Sequence, residues 1–270
     1  MNRGQLHQKK SLGQVFLRTE WPIQRVVEKC HQWKVQRVLE IGPGEGVLTK
    51  GLIKDGFQVT AVERDDRFAE RLPGQIRRSE LDEKLLHVVP EDILKFDLGA
   101  WLDSSKAPAA VVGNIPYNIS SPILLWLLPH LDRLAGGMLM VQLEFGQRIA
   151  AGPGNKDYGS LSVYTQMRSK VTLECKVDRT SFFPVPKVDS ALITLTAARE
   201  QYSPSALNRV ELLSRTSFLH RRKMLRNTLQ PFFNEQHPAE NSPIDLNRRP
   251  ETLRIEEFLE LARYLFPKEF

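Results

Sequence analysis

Cysteine is scarce: Cys30 and Cys175 are the two in 270 residues, too few for a disulfide framework or a cysteine-rich metal centre. Both are expected as small buried hydrophobes, and no metal site is expected. Long apolar runs are missing as well. The longest uncharged stretch, 107–130, is broken by Asn114, Pro116, Asn118, Pro122 and Pro129, so it does not read as a membrane span. Residues 1–14 are polar and basic with no apolar centre, which excludes a secretory signal and points to a cytoplasmic chain. No internal repeat is visible. Hydrophobic residues make up 41% and charged residues 26%, the range of an ordinary folded chain, which excludes disorder and fibre. Charge leans basic, with 38 Lys and Arg against 32 Asp and Glu, net +6, which suits a polyanionic partner without requiring one.

Short apolar runs alternate with amphipathic helical stretches over the first half of the chain. Arg37 to Ile41, Gln58 to Val62, Leu86 to Val89, Ala109 to Val112 and Met138 to Leu143 read as strands. Helical patterns separate them, including the stretch after Val47, the one around Phe68 and Leu72, and Pro122 to Leu128. This alternation predicts an α/β fold, a Rossmann-like parallel sheet with crossover helices. Val171 to Val177 and Val188 to Thr196 follow without a helix-length spacer and are expected to pair antiparallel at the sheet edge. Past Arg199 the strand signal ends, and Leu207 to Leu213, Arg222 to Leu229 and Ile255 to Phe266 read as helices. The expected division is 1–198, carrying a basic arm over 1–18, and a small all-helical domain over 199–270.

Gly42-Pro43-Gly44-Glu45-Gly46 lies between the first of these strands and a helix. Glycines there permit positive φ and close approach of a ligand to the backbone at a helix N-terminus. Glu63 ends the next strand, where a carboxylate meets both hydroxyls of a ribose, and Asp92 follows the third, within reach of an adenine edge. A dinucleotide fingerprint would need glycine at position 47, which is Val47. A tight strand–helix turn explains the glycines alone equally well; the two acids on the same rim favour a nucleoside-bearing cofactor.

Asn114-Ile115-Pro116-Tyr117 follows the fourth strand, at the sheet edge where doubly wound folds place their chemistry. An exocyclic adenine amine is a poor nucleophile because its lone pair is delocalised into the ring. The Asn114 side-chain oxygen and the Ile115 carbonyl, aimed at its two hydrogens, would favour the geometry that frees that pair. Pro116 stiffens the turn, and Tyr117 offers a flat face to an extruded base. Taken alone, the segment is as readily an Asn-capped turn with a packed tyrosine.

Four ordered segments carry a specific resemblance. Lys9 to Leu17, Glu40 to Gly46, Asn114 to Ser121 and Ser181 to Ser190 together resemble the ribosomal RNA adenine dimethyltransferase family over essentially the whole chain. The resemblance implies a class I methyltransferase fold, N6,N6-dimethylation of adenosine in rRNA, and S-adenosylmethionine as donor. Phe218 to Asn227 and Arg249 to Leu253 resemble the branch that modifies two adjacent adenosines near the 3′ end of small-subunit rRNA during ribosome assembly. The branch acting on large-subunit rRNA and a non-catalytic assembly factor are the alternatives. The intact Asn114 to Tyr117 segment argues against the latter.

Matched position by position, the resemblance implies Gln14, Val15, Leu17, Gly42, Gly44, Glu63, Asp92 and Asn114 as donor-binding. At Val15 the family usually has Asn, so a side-chain contact there would be lost and a backbone contact kept. Leu12 likewise replaces the commoner aromatic. Catalysis would fall to Asn114, Ile115, Pro116 and Tyr117, with Phe182 closing over the base opposite Tyr117 and Phe183 in the core. Lys9, Lys10, Arg221, Arg222, Lys223 and Arg226 are the candidate RNA contacts. No acid lies between Glu211 and Glu235 to neutralise the second cluster. A helix through 222–229 would set Arg222 and Arg226 on one face. The expected partner is small-subunit rRNA, with the enzyme a monomer.

Overall fold

The computed structural model describes residues 16–200 and 202–270. Their elements alternate in the expected manner. A two-residue strand β1 (Phe16–Leu17) precedes α1 (Trp21–Gln32), which buries Ile23, Val26, Val27 and Cys30. Then come β2 (Arg37–Ile41), α2 (Val47–Lys54), β3 (Gln58–Val62), α3 (Asp66–Arg78), β4 (Leu86–Val89), α4 (Leu98–Asp103), β5 (Ala109–Asn114), α5 (Ser120–Leu127) and β6 (Gly136–Gln142). Next are α6 (Leu143–Ala150), α7 (Ser160–Gln166), β7 (Ser169–Val177), β8 (Phe182–Phe183) and β9 (Ser190–Ala197). The tail holds α8 (Pro204–Leu219), α9 (Leu225–Thr228) and α10 (Ile255–Leu265). Among the described residues no helix is long and apolar enough to cross a membrane.

Seven strands form one sheet in the order β4-β3-β2-β5-β6-β9-β7. The first five pair in parallel, while β9 runs antiparallel to β6, with Met140 opposite Leu192 and Gln142 opposite Ser190. This is the α/β fold with an antiparallel edge that the alternation predicted. Every residue of β2 is buried, as for a central parallel strand covered on both faces. Its polar members are satisfied internally: Arg37 donates to the carbonyls of Trp101 (2.7 Å) and Ser105 (3.0 Å) and to Ser104 Oγ. Cys30 has no exposed surface, and burial pushes its thiol up to about 12, so it acts as a packing residue. The order in which strands are laid down reverses between the parallel neighbours β2 and β5, which opens a crevice at their carboxyl ends.

The chain separates into two compact units, 1–146 with 172–197, and 147–171 with 198–270. This corrects the single expected cut at residue 198. Residues 147–171 belong with the tail because α7 packs on α8, and Val163 of α7, with Tyr158 before it and Met167 after it, joins a core with Val210, Leu213, Phe258 and Leu261. The Tyr158 ring meets Phe218 edge-on at 5.8 Å in that core. A second correction concerns the helix expected over 222–229. Residues 220–223 form a turn and bend, with Lys223 N donating to the His220 carbonyl at 2.8 Å, Met224 is extended, and only Leu225–Thr228 are helical. Backbone bonds from Leu225 and Arg226 to the carbonyls of Arg248 and Leu246 hold this segment, so long-range pairing overrides local helix propensity. Arg222 and Arg226 therefore do not share a helical face.

Candidate active site

Strand β2 ends in a turn whose three glycines, 42, 44 and 46, have φ of +61°, +54° and +71°. At Gly46, the residue that caps α2, a Cβ would stand 2.3 Å from Leu72 Cδ1. At Gly44 it would stand 3.0 Å from the Phe16 ring, which itself packs on Phe68 with centroids 5.6 Å apart. Backbone handedness and close packing both demand glycine here.

Opposite the turn, Glu63 is 4% exposed, just past β3. Its Oε2 accepts from the Gly44 amide at 3.0 Å and its Oε1 from the Asp65 amide at 2.8 Å, so one carboxylate pins both loops. Burial raises its pKa, and the two backbone donors pull the other way. Asp92 lies further along the rim. Its Oδ1 accepts from the Leu94 amide at 3.1 Å, and its Oδ2 is 3.3 Å from the Arg64 guanidinium.

Asn114 ends β5, and the chain turns at once: Ile115 N donates to the Met140 carbonyl at 3.0 Å and Ile119 N to the Pro116 carbonyl at 3.1 Å. Tyr117 is held by its tip, with its phenol oxygen 2.8 Å from Ser190 Oγ on β9. Burial raises the phenol's pKa, so it stays protonated and can donate or accept in that bond.

A single cleft gathers these parts. Phe16, Leu17, Gly42, Gly44, Glu63, Asp92, Asn114, Ile115 and Pro116 all line it, together with Glu40, Asn118 and Ile119. Above Gly42 a Cβ would meet nothing within 4 Å, so backbone faces open space there. Paired carboxylate oxygens beside a bare glycine turn, with an acid further along the rim, fit a nucleoside-bearing cofactor.

The sequence reading is corrected at the adjacent phenylalanines. Phe182, expected to stack on a base, is 1% exposed and belongs to the core cluster with Val177, Leu192 and Leu17, whereas Phe183, expected in the core, is 49% exposed. The cause is register: β1 and β8 pair antiparallel with Leu17 opposite Phe182 and Phe16 opposite Phe183, and adjacent strand residues face opposite ways. Arg221 is corrected too. Its guanidinium donates to the Asn155 carbonyl at 3.1 Å and lies 3.8 Å from Glu251 Oε2, so it braces its own unit. Arg222, Lys223 and Arg226 are exposed, and none has an ion-pair partner among the described residues. Lys9, Lys10, Gln14 and Val15 lie outside the described residues.

Two participants escaped the sequence reading. Glu40, on β2, is 2% exposed and accepts from Thr49 Oγ1 at 2.6 Å; burial, with Glu63 nearby, pushes its carboxyl up to about 8. A carboxylate flanked by Val38, Leu39 and Ile41 in a buried strand was the available signal. Ser190 had none, because its role depends on Tyr117, 73 positions away.

A profile of the family described as Ribosomal RNA adenine dimethylase matches residues 5–266. Proteins named Ribosomal RNA small subunit methyltransferase A, from Francisella tularensis subsp. novicida strain U112 and subsp. tularensis strain WY96-3418, are each 35% identical over 258 residues. That span is 95% of this chain and 97% of theirs. The fold is similar to the 23S rRNA methyltransferase ErmE, with TM-score 0.70 and 29% identity over 93% of this chain and 99% of that one. A dimethyladenosine transferase from Plasmodium falciparum shares the fold at TM-score 0.75, with 24% identity over 94% of this chain and 98% of that one.

Proposed function

The chain belongs to the ribosomal RNA adenine dimethylase family, and from that premise we propose that it dimethylates N6 of two adjacent adenosines in small-subunit rRNA. The observation that carries the reading is the joining of Glu63, Asp92 and the Asn114–Pro116 turn in one cleft, with Tyr117 held beside the turn by Ser190. The small-subunit assignment is supported by 35% identity, over nearly the whole chain, to proteins named for that subunit.

S-adenosylmethionine, when bound, supplies an electrophilic methyl group, so the amine needs better nucleophilicity rather than a strong base. Glu63 would hold the ribose hydroxyls, Asp92 the adenine edge, and the bare backbone at Gly42 and Gly44 the remainder. Leu17 would close one wall. The Asn114 amide oxygen and the Ile115 carbonyl would accept the two amine hydrogens of the target base, which localises its lone pair. Pro116 fixes the turn, and the Tyr117 ring supplies the stacking face, its tip anchored by Ser190. Arg222, Lys223 and Arg226 would meet RNA phosphates, read by shape more than by sequence. The cleft and its Tyr117 side are complete without a residue from a second subunit, and the enzyme we infer is a monomer that acts where ribosomes are assembled, in the cytoplasm.

The test supplies unmethylated small and large ribosomal subunits with isotopically labelled donor and maps the modified nucleotides. Label in two adjacent adenosines near the 3′ end of small-subunit rRNA is expected. Label confined to large-subunit rRNA, or no label in either, would overturn the reading.

A further inference from the structure

The last residue of β8 carries an aromatic ring that the chemistry above does not use. Phe183 stands opposite Phe16 across the β1–β8 pair, and directly opposed residues of an antiparallel pair project to the same face. Arg18, two residues beyond Phe16, shares that face, and its guanidinium lies 3.9 Å from the Phe183 ring centroid. Phe16 lines the cleft; at the other end of the segment Ser190 holds Tyr117. Residues 183–189 thus run from the lip of the donor cleft to the face proposed for the target base.

This segment is both apolar and cationic at its surface. Phe183 is 49% and Val185 56% exposed, with Arg18 on the Phe183 ring, and Arg179 and Lys187, close by in sequence, are exposed too. The two acids of this stretch, Asp178 and Asp189, are already engaged. Asp178 accepts from the Thr180 amide and hydroxyl at 2.8 and 2.6 Å, and Asp189 pairs with Lys176 at 2.6 Å and accepts from the Arg179 amide. An aromatic face beside cations is the pattern that holds single-stranded nucleic acid.

We propose that Phe183, braced by Arg18, stacks the nucleobase that flanks the target adenosine in the RNA. The proposal rests on reading Asn114–Tyr117 as the target turn. Every base presents a π face, so this contact fixes the position of the neighbouring nucleotide without selecting its identity. It also gives the second adenosine of an adjacent pair a defined place while the first reacts.

The test uses the full chain and unmethylated small ribosomal subunits, with Phe183→Ala, Phe183→Leu and Phe183→Trp. The alanine and leucine variants are expected to raise KM for subunits about tenfold, the scale of losing one base–aromatic stack. Donor affinity by calorimetry and the thermal midpoint stay at wild-type values, and tryptophan restores KM. Unchanged KM in the alanine variant, or full activity with leucine, would overturn the proposal, because leucine keeps the bulk and loses the π face. A second measurement does not depend on turnover: a short RNA with 2-aminopurine beside the target adenosine should lose fluorescence with wild type and keep it with Phe183→Leu. Equal quenching by the two proteins would overturn the stacking, whereas quenching by wild type without any methylation would overturn only the functional reading.

Discussion

The Tyr117 phenol and the Ser190 hydroxyl lie 2.8 Å apart and join the turn after β5 to the first residue of β9, where Ser190 has no exposed surface. Two strands that are not neighbours in the sheet thereby fix the tip of one ring. Ser190→Ala should free that ring. A neutral hydrogen bond is worth about 0.5–1.5 kcal/mol net, so turnover should fall up to about tenfold. Donor affinity should be unchanged, and Ser190→Thr, which keeps the hydroxyl, should recover the rate in single-turnover assays.

Replacing Glu63 by Ala removes the acceptor proposed for the ribose and also the anchor of Gly44 and Asp65. Charge-assisted hydrogen bonds contribute about 1.5–3 kcal/mol each, so calorimetric titration with S-adenosylmethionine should show affinity reduced by at least ~10-fold. A folded variant with wild-type affinity would remove Glu63 from the donor site.

Asn114→Ala should lower single-turnover methylation by roughly 10²–10³, the scale for one dipole aimed at a reacting centre. Subunit affinity should change little, because phosphate contacts dominate it. Near-normal methylation would exclude the amide from the chemistry.

Arg222 and Arg226 are exposed, and Arg221 is tied to Asn155 and Glu251. The Arg222→Ala/Arg226→Ala double variant should weaken subunit binding and flatten its log–log salt slope by up to about two. Arg221→Ala should instead lower the thermal midpoint, since it loses contacts within its own unit. Filter binding across a salt series, paired with thermal melts, separates the two outcomes.

Glu40 sets a pH dependence. Its carboxyl is raised from an ordinary 4.5 to about 8 by burial, so the folded chain holds a proton there that the unfolded chain releases. The associated stability is complete below about pH 4.5 and is lost as pH rises through 8. One such proton gives a slope of at most ~1.4 kcal/mol per pH unit. Glu40→Gln should remove that share of the decline between pH 5 and 8, read from urea melts across the range. Identical slopes in variant and wild type would mean that Glu40 is ionised in the fold.

Much of this protein was determined by local pattern. The central strands β5 and β6 declare themselves as apolar runs because a strand covered on both faces has no polar side. The glycine turn follows from backbone handedness, and the acids at 63 and 92 from their places just past strand ends. These signals need only near neighbours in sequence.

Tertiary structure decided the remainder, because each case turns on a partner far along the chain. Whether Phe182 or Phe183 faces the core depends on its pairing with Leu17 and Phe16, and a shift of one residue would exchange them. The segment around Arg222 gives up its helix to backbone bonds with Leu246 and Arg248. Residues 147–171 leave the first unit because Tyr158 and Val163 find their apolar partners on α8 and α10. Ser190 acquires a role from Tyr117 alone. Periodicity reports which side of an element is apolar; which other element that side meets is settled only when the chain folds.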